Sequence, residues 1–151
     1  MKRLAPLSIV LLLSACSAAA EEPRVKVSEA VVTVPAVPGG MGAAYFTLET
    51  NRENSRLVAV TSPSVRSIEL HETSQEGGRS RMAPLPPEGA TFGPSAPLRF
   101  APGGKHAMLM GVDPSVRAGG KITLTFRVDG VVEPVTVEAD VRGPGQAHPS
   151  H

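Results

Sequence analysis

Two short stretches concentrate the residues able to hold a soft metal ion. "LHETSQEGGRSRM" carries His71 and, after ten intervening residues, Met82; "KHAMLMG" carries His106, Met108 and Met110. The whole chain has four histidines and five methionines, one of them the initiator. Thioether sulfur is soft and uncharged, a poor ligand for Zn²⁺, Mg²⁺ or Ca²⁺ and a good one for Cu(I); imidazole suits copper in either oxidation state. Two neutral imidazoles and two thioethers around Cu(I) leave a single positive charge, cheaper to bury in part than Cu(II) without anionic ligands. The candidate copper ligands are therefore His71, Met82, His106 and Met108, with Met110 and Met41 as auxiliary or core residues. A blue-copper electron-transfer centre needs a thiolate, and the single cysteine, Cys16, lies near the N-terminus, outside the prospective domain. Each residue also has an ordinary reading. A methionine in a strand usually packs a core, and His71, on the face opposite Ile68 and Leu70, reads as a solvated surface histidine. The joint concentration of these types favours the metal.

The elements that must position them read as β throughout. Alternating or β-branched runs occur at 25–34, 42–50, 56–62, 65–73, 80–85, 106–112, 121–128 and 131–141, with a short "LRFA" at the end of a proline-rich stretch from Pro84 to Pro102. Asp129-Gly130 is a two-residue hairpin signal. About eight short strands without helical periodicity predict an all-β fold, a β-sandwich or small Greek-key barrel. If the 65–73/80–85 hairpin closes with Ser74 opposite Arg79, His71 and Met82 face each other directly, with Cβ atoms ~5 Å apart. Strand periodicity puts His106, Met108 and Met110 on one face. Glu72 alternates to the face opposite His71 and is not expected to be a ligand.

The N-terminus places the protein outside the cytoplasm. Lys2 and Arg3, an apolar run from Leu4 to Leu13 and small residues after it read as a secretory signal peptide over 1–15. Leu13-Ser14-Ala15-Cys16 resembles a lipobox, which predicts cleavage before Cys16, lipidation of that cysteine and a membrane-anchored, periplasm-facing lipoprotein. Residues 16–24 read as a tether, 25–142 as one domain and 143–151 as a disordered tail. Removing 1–15 takes away two positive charges and no negative ones, so the formal charge of +1 becomes −1; nothing points to nucleic acid as a partner. Without a domain cysteine, no disulfide or thiolate nucleophile is available. Ser62, Ser64, Ser67, Glu69 and His71 form neither a nucleophile elbow nor an ordered triad. No enzyme activity and no small-molecule substrate are expected. In the tail, His148 and His151 could form a secondary Cu(II) site, against the plainer reading of two incidental histidines.

"GAAYFTLET", "LVAVTSPSVRSIELHET", "RMAPL" and "APGGKHAMLMGV" resemble, in that order, successive blocks of the periplasmic copper chaperones called PCu(A)C, over roughly residues 25–142. His71, Met82, His106 and Met108 match that family's ligand motif position by position. Two departures occur: Glu72 stands where many members have a methionine, and the gap from Met82 to His106 is two residues longer. The resemblance implies a cupredoxin-like β-fold holding Cu(I) at an exposed site and delivering it to the CuA centre of cytochrome c oxidase, with a Sco-type copper protein as a further partner. The residues leave open a copper-sequestering lipoprotein for tolerance, using the same site, or a metal-free structural β-sandwich.

Overall fold

Twenty core positions alternate with exposed ones along strands that are separated by proline and glycine, and this period of two dictates sheets with one face buried. In the computed structural model, which describes residues 22 and 24–146, ten strands follow one another: β1 (Val25–Thr33), β2 (Met41–Thr50), β3 (Ser55–Thr61), β4 (Val65–Glu76), β5 (Arg79–Pro84), β6 (Ala90–Phe92), β7 (Leu98–Phe100), β8 (Lys105–Val112), β9 (Lys121–Asp129) and β10 (Val135–Arg142). The all-β expectation holds, and the proline-rich stretch contributes two three-residue strands, β6 and β7.

The strands pair in the order β5-β4-β8-β2-β1-β10-β9-β3-β6, with β7 also on β2. The N-terminal half of β2 pairs with β8 and its C-terminal half with β7. β7 and β8 therefore succeed each other along one edge of β2, separated by the turn at 101–104. β1 and β10 pair in parallel. The long sheet folds over itself: Phe46 on β2 stacks on Phe100 of β7 at 4.5 Å and meets Phe126 of β9 edge-on at 4.8 Å. Such aromatic pairs add about 0.5–1.5 kcal/mol beyond area burial. Val32, Ala44, Leu48, Leu57, Leu109 and Leu124 fill the rest of the space between the layers.

Two expected hairpins close differently. Gly77 and Gly78 both have positive φ (57° and 76°) and make a two-residue turn by themselves, so Gln75 and Glu76 join β4 instead of the loop. Ser74 then faces Arg81, Thr73 faces Met82 and His71 faces Pro84. The direct His71–Met82 pairing is thereby corrected. The slip is two residues, however, and an even slip keeps both side chains on the same face. At the other hairpin, Asp129 is still within β9 and β10 starts only at Val135. Asp129 and Val128 pair with Arg56 and Leu57 of β3, and Pro134 has no N–H to offer a ladder. Residues 143–146 form a turn in which the Gly143 amide donates to Gln146 Oε1 at 2.6 Å. Among the described residues no helix is long and apolar enough to cross a membrane.

Candidate metal centre

β4 and β8 run side by side in antiparallel register, and each sends alternate residues outward. On β8, Ala107 and Leu109 are fully buried, whereas His106, Met108 and Met110 lie half-buried on the other face. On β4, Ile68 and Leu70 pack against the core while Ser67, Glu69, His71 and Thr73 share the outer face. The register places His71 opposite His106, Glu69 opposite Met108 and Ser67 opposite Met110. The two imidazole centroids are 6.0 Å apart with planes tilted by 40°. Met82, opposite Thr73 on the edge strand β5, flanks His71 diagonally; on the other side Ala43 of β2 lies opposite Met108.

In the neutral imidazoles, hydrogen bonds fix which nitrogen of each ring is free. His106 Nδ1 lies 3.0 Å from the Gly104 carbonyl, which can only accept, so Nδ1 donates and Nε2 keeps its lone pair. The 101–104 turn supplies that carbonyl, anchored by the Gly104 amide donating to Ala101 O and the Ala101 amide to Lys105 O. His71 Nε2 donates to Glu69 Oε2 at 3.1 Å, which leaves Nδ1 as the unprotonated nitrogen. Against the ordinary reading of a solvated surface histidine, the His71 side chain is only 13% exposed, and its Nδ1 is buried with no hydrogen-bond partner. A buried, unsatisfied polar atom costs about 1–3 kcal/mol. A ligand accepting that lone pair would remove the cost.

Beside the histidines is an open groove of about 350 Å³, lined by His106, Met108, Met82, Met41, Ala43 and Tyr45 among others. Burial raises the Tyr45 hydroxyl above its ordinary 10.0, so this wall of the groove is neutral. Glu72, on the opposite face as expected, pairs with Lys105 directly across the strands at 2.7 Å. The larger hollow around Arg24, Asn51 and Val135, about 710 Å³, contains neither histidine nor methionine. Among the described residues no cluster of three or more His, Cys, Asp or Glu could hold a metal ion. The donor set is two lone-pair imidazole nitrogens and adjacent thioethers, which is the chemistry of a soft monovalent cation.

The structure thus brings His71, His106 and Met108 together, with Met82 beside them on the same face. Met110 and Met41 are direct cross-strand partners on that face, and Met41 is 64% exposed, so it is not a core residue. Glu69, weighed in the sequence only for hydrolytic chemistry, is the neighbour that holds the His71 ring; its position two residues before His71 on the same strand face was the available signal. Cys16, the 1–15 segment, nearly all of the 16–24 tether, His148 and His151 lie outside the described residues.

Comparison with known proteins agrees with this fold. The profile of the family described as "Putative lipoprotein LpqE-like" matches residues 25–141. "Putative lipoprotein Lxx21020" of Leifsonia xyli subsp. xyli is 37% identical over 106 residues, covering 69% of this chain and 63% of that protein. "Uncharacterized protein RP573" of Rickettsia prowazekii is 32% identical over 88 residues, covering 58% and 48%. The chain thus spans less than two thirds of the length of these relatives. Among solved structures, the copper-bound PCuAC domain from PmoF2 superposes with a TM-score of 0.59 at 22% identity, over 80% of this chain and 93% of that one. Apo-DR1885 from Deinococcus radiodurans gives a TM-score of 0.54 at 27% identity, over 95% and 97%. The resemblance to PCu(A)C domains is borne out in the all-β fold, and the match over nearly the whole described domain makes this chain a member of the LpqE-like lipoprotein family.

Proposed function

We propose that this protein is an exported, lipid-anchored copper carrier that binds one Cu(I) through His71, His106, Met108 and Met82. The observation that carries the reading is the directly opposed pair His71–His106, each ring with one lone-pair nitrogen and His71 Nδ1 unpartnered, beside thioethers in an open groove. The copper-bound PmoF2 domain, which shares the fold, supports the same choice of metal. The ligands are neutral and the groove is open, so an acceptor's ligands can reach the ion and exchange with it. On this reading the chain performs no bond chemistry. Its copper goes to a docking protein, the CuA centre of cytochrome c oxidase, with a Sco-type protein alongside.

The test is a Cu(I) titration of the full chain against a competing chelator, with Cys16→Ser so that no thiol competes. One tight equivalent is expected, weakened by more than the ~10–100-fold that loss of an outer-shell partner costs when Met82 and Met108 are both changed to Leu, a swap that nearly conserves volume. Binding indifferent to both methionines would refute the site. Loss of cytochrome c oxidase activity in a deletion strain at low copper is expected of a carrier and not of a sequestering protein.

A further inference from the structure

Met41, Met82, Met108 and Met110 are all the methionines among the described residues, and His71 and His106 are all the histidines. The register puts the six on one face of the β5-β4-β8-β2 segment. The centre described above uses four of them. The remaining two, Met41 and Met110, are direct cross-strand partners one step further along the same face, two residues beyond Ala43 and Met108. Met41 is 64% exposed and forgoes the burial that normally justifies a methionine. It nevertheless lines the same groove as Met82, His106 and Met108. Ser67, the other neighbour of Met110, is small and exposed, so that end of the face is open to solvent. No carboxylate stands directly across from either methionine; the direct neighbours are Ala43, Met108 and Ser67, and Glu69, diagonal to Met110 on β4, is engaged by His71.

We propose that Met41 and Met110 form a second, weaker site for a soft monovalent cation, a landing place from which Cu(I) moves past Met108 to the two histidines. Two thioethers opposite each other, with Cβ atoms at the ~5 Å spacing of a cross-strand pair, can hold a d¹⁰ ion in low coordination. Without imidazole the site is weaker than the main one, so it fills second and empties first. No electron or proton moves; the ion exchanges one neutral ligand for the next. The inference rests on the soft-metal character of the neighbouring centre, and the experiment separates the two.

The probe is Ag(I), a soft closed-shell cation that air does not oxidise, added to the full chain carrying Cys16→Ser and ¹³C-methyl methionine. The methyl signals are assigned by single Met→Leu variants. The Met82 and Met108 methyls are expected to shift with the first equivalent. Those of Met41 and Met110 should shift together with a second equivalent bound about tenfold or more weakly. Met41→Leu with Met110→Leu should abolish the second step and leave the first unchanged. Stationary Met41 and Met110 methyls, or their movement in step with Met108 at the first equivalent, would overturn the proposal. Stationary Met82 and Met108 methyls would instead refute the main centre, while the Met41 and Met110 signals still decide the second. Because the assigned wild-type shifts separate these outcomes, a Met41→Leu, Met110→Leu double variant that failed to fold would leave the test intact.

Discussion

At the scale of single residues, the proposed centre depends on which nitrogen each imidazole keeps free, and that is decided by groups that need not touch a metal. The Gly104 carbonyl fixes His106, whereas the exposed carboxylate of Glu69 fixes His71. A carbonyl in a hydrogen-bonded turn cannot be mutated away, but Glu69 can. Partners of this kind orient a ligand and raise its basicity, and their loss typically costs 10–100-fold in metal affinity. Because Glu69 is more than half exposed, its effect belongs at the lower end of that range. Glu69→Gln is therefore expected to weaken Cu(I) binding by about tenfold in the chelator competition, with an unchanged stoichiometry. Glu72→Gln, which only breaks the pairing with Lys105 on the other face, should leave the affinity unaltered. Equal effects of the two changes would mean that the carboxylate acts through general charge and not through His71.

At the scale of elements, Met82 stands apart from the other proposed ligands because its strand does. β5 is exposed at every position, lies at the edge of the sheet and contributes nothing to the buried core. Its register depends on the Gly77-Gly78 turn, where both residues occupy the left-handed region. A β-branched residue there costs about 1–2 kcal/mol. Gly78→Val should consequently loosen the hairpin while sparing the molecule, since edge elements open independently of the core. Faster amide exchange in β5, a nearly constant thermal midpoint and weaker Cu(I) binding are expected together. A large fall in midpoint would show that β5 supports the whole fold. The same turn marks a limit of what a sequence discloses. Alternation identified the strands and the shared face, because period two is a local property of the chain. The register of the hairpin was not legible, since "SQEGGR" accommodates more than one closure until the backbone angles are known. Still less legible was the opposition of His71 and His106. It arises from β4 pairing with β8, strands separated by thirty-three residues at the Glu72–Lys105 pair, and no local pattern encodes such a partner.

At the scale of the whole molecule, the sheet that carries the centre is completed by β10, which joins β1 in parallel on one side and β9 on the other. Asp140 sits at this seam, opposite Val31 and Lys121. Its outer face continues as a polar ladder, with Thr123 donating to Glu138 at 2.9 Å and Thr125 within 3.2 Å of Thr136. The hydrogen bond and charge of Lys121 hold the Asp140 carboxyl below its ordinary 3.8, and Asp140 in turn raises Lys121 above 10.5. The signs differ for the two partners. A depressed carboxylate gives stability that is present above its unfolded value and disappears as pH falls through the folded one, so the acid loss lies below about pH 4. A raised lysine gives stability that is present below its unfolded value and disappears as pH rises through the folded one, beyond 10.5. Both side chains are more than half exposed, so the gain is small and screened by salt. Asp140→Asn is accordingly expected to lower the thermal midpoint slightly at neutral pH. The difference from the wild type should vanish as the solution is acidified below pH 4, and shrink in about 1 M salt. Cu(I) affinity should be unaffected, because β2 lies between the β1–β10 seam and the β8 and β4 residues of the proposed centre. A deficit that persisted unchanged in acid and in salt would locate the role of Asp140 in packing at the β1–β10 seam instead of in its charge.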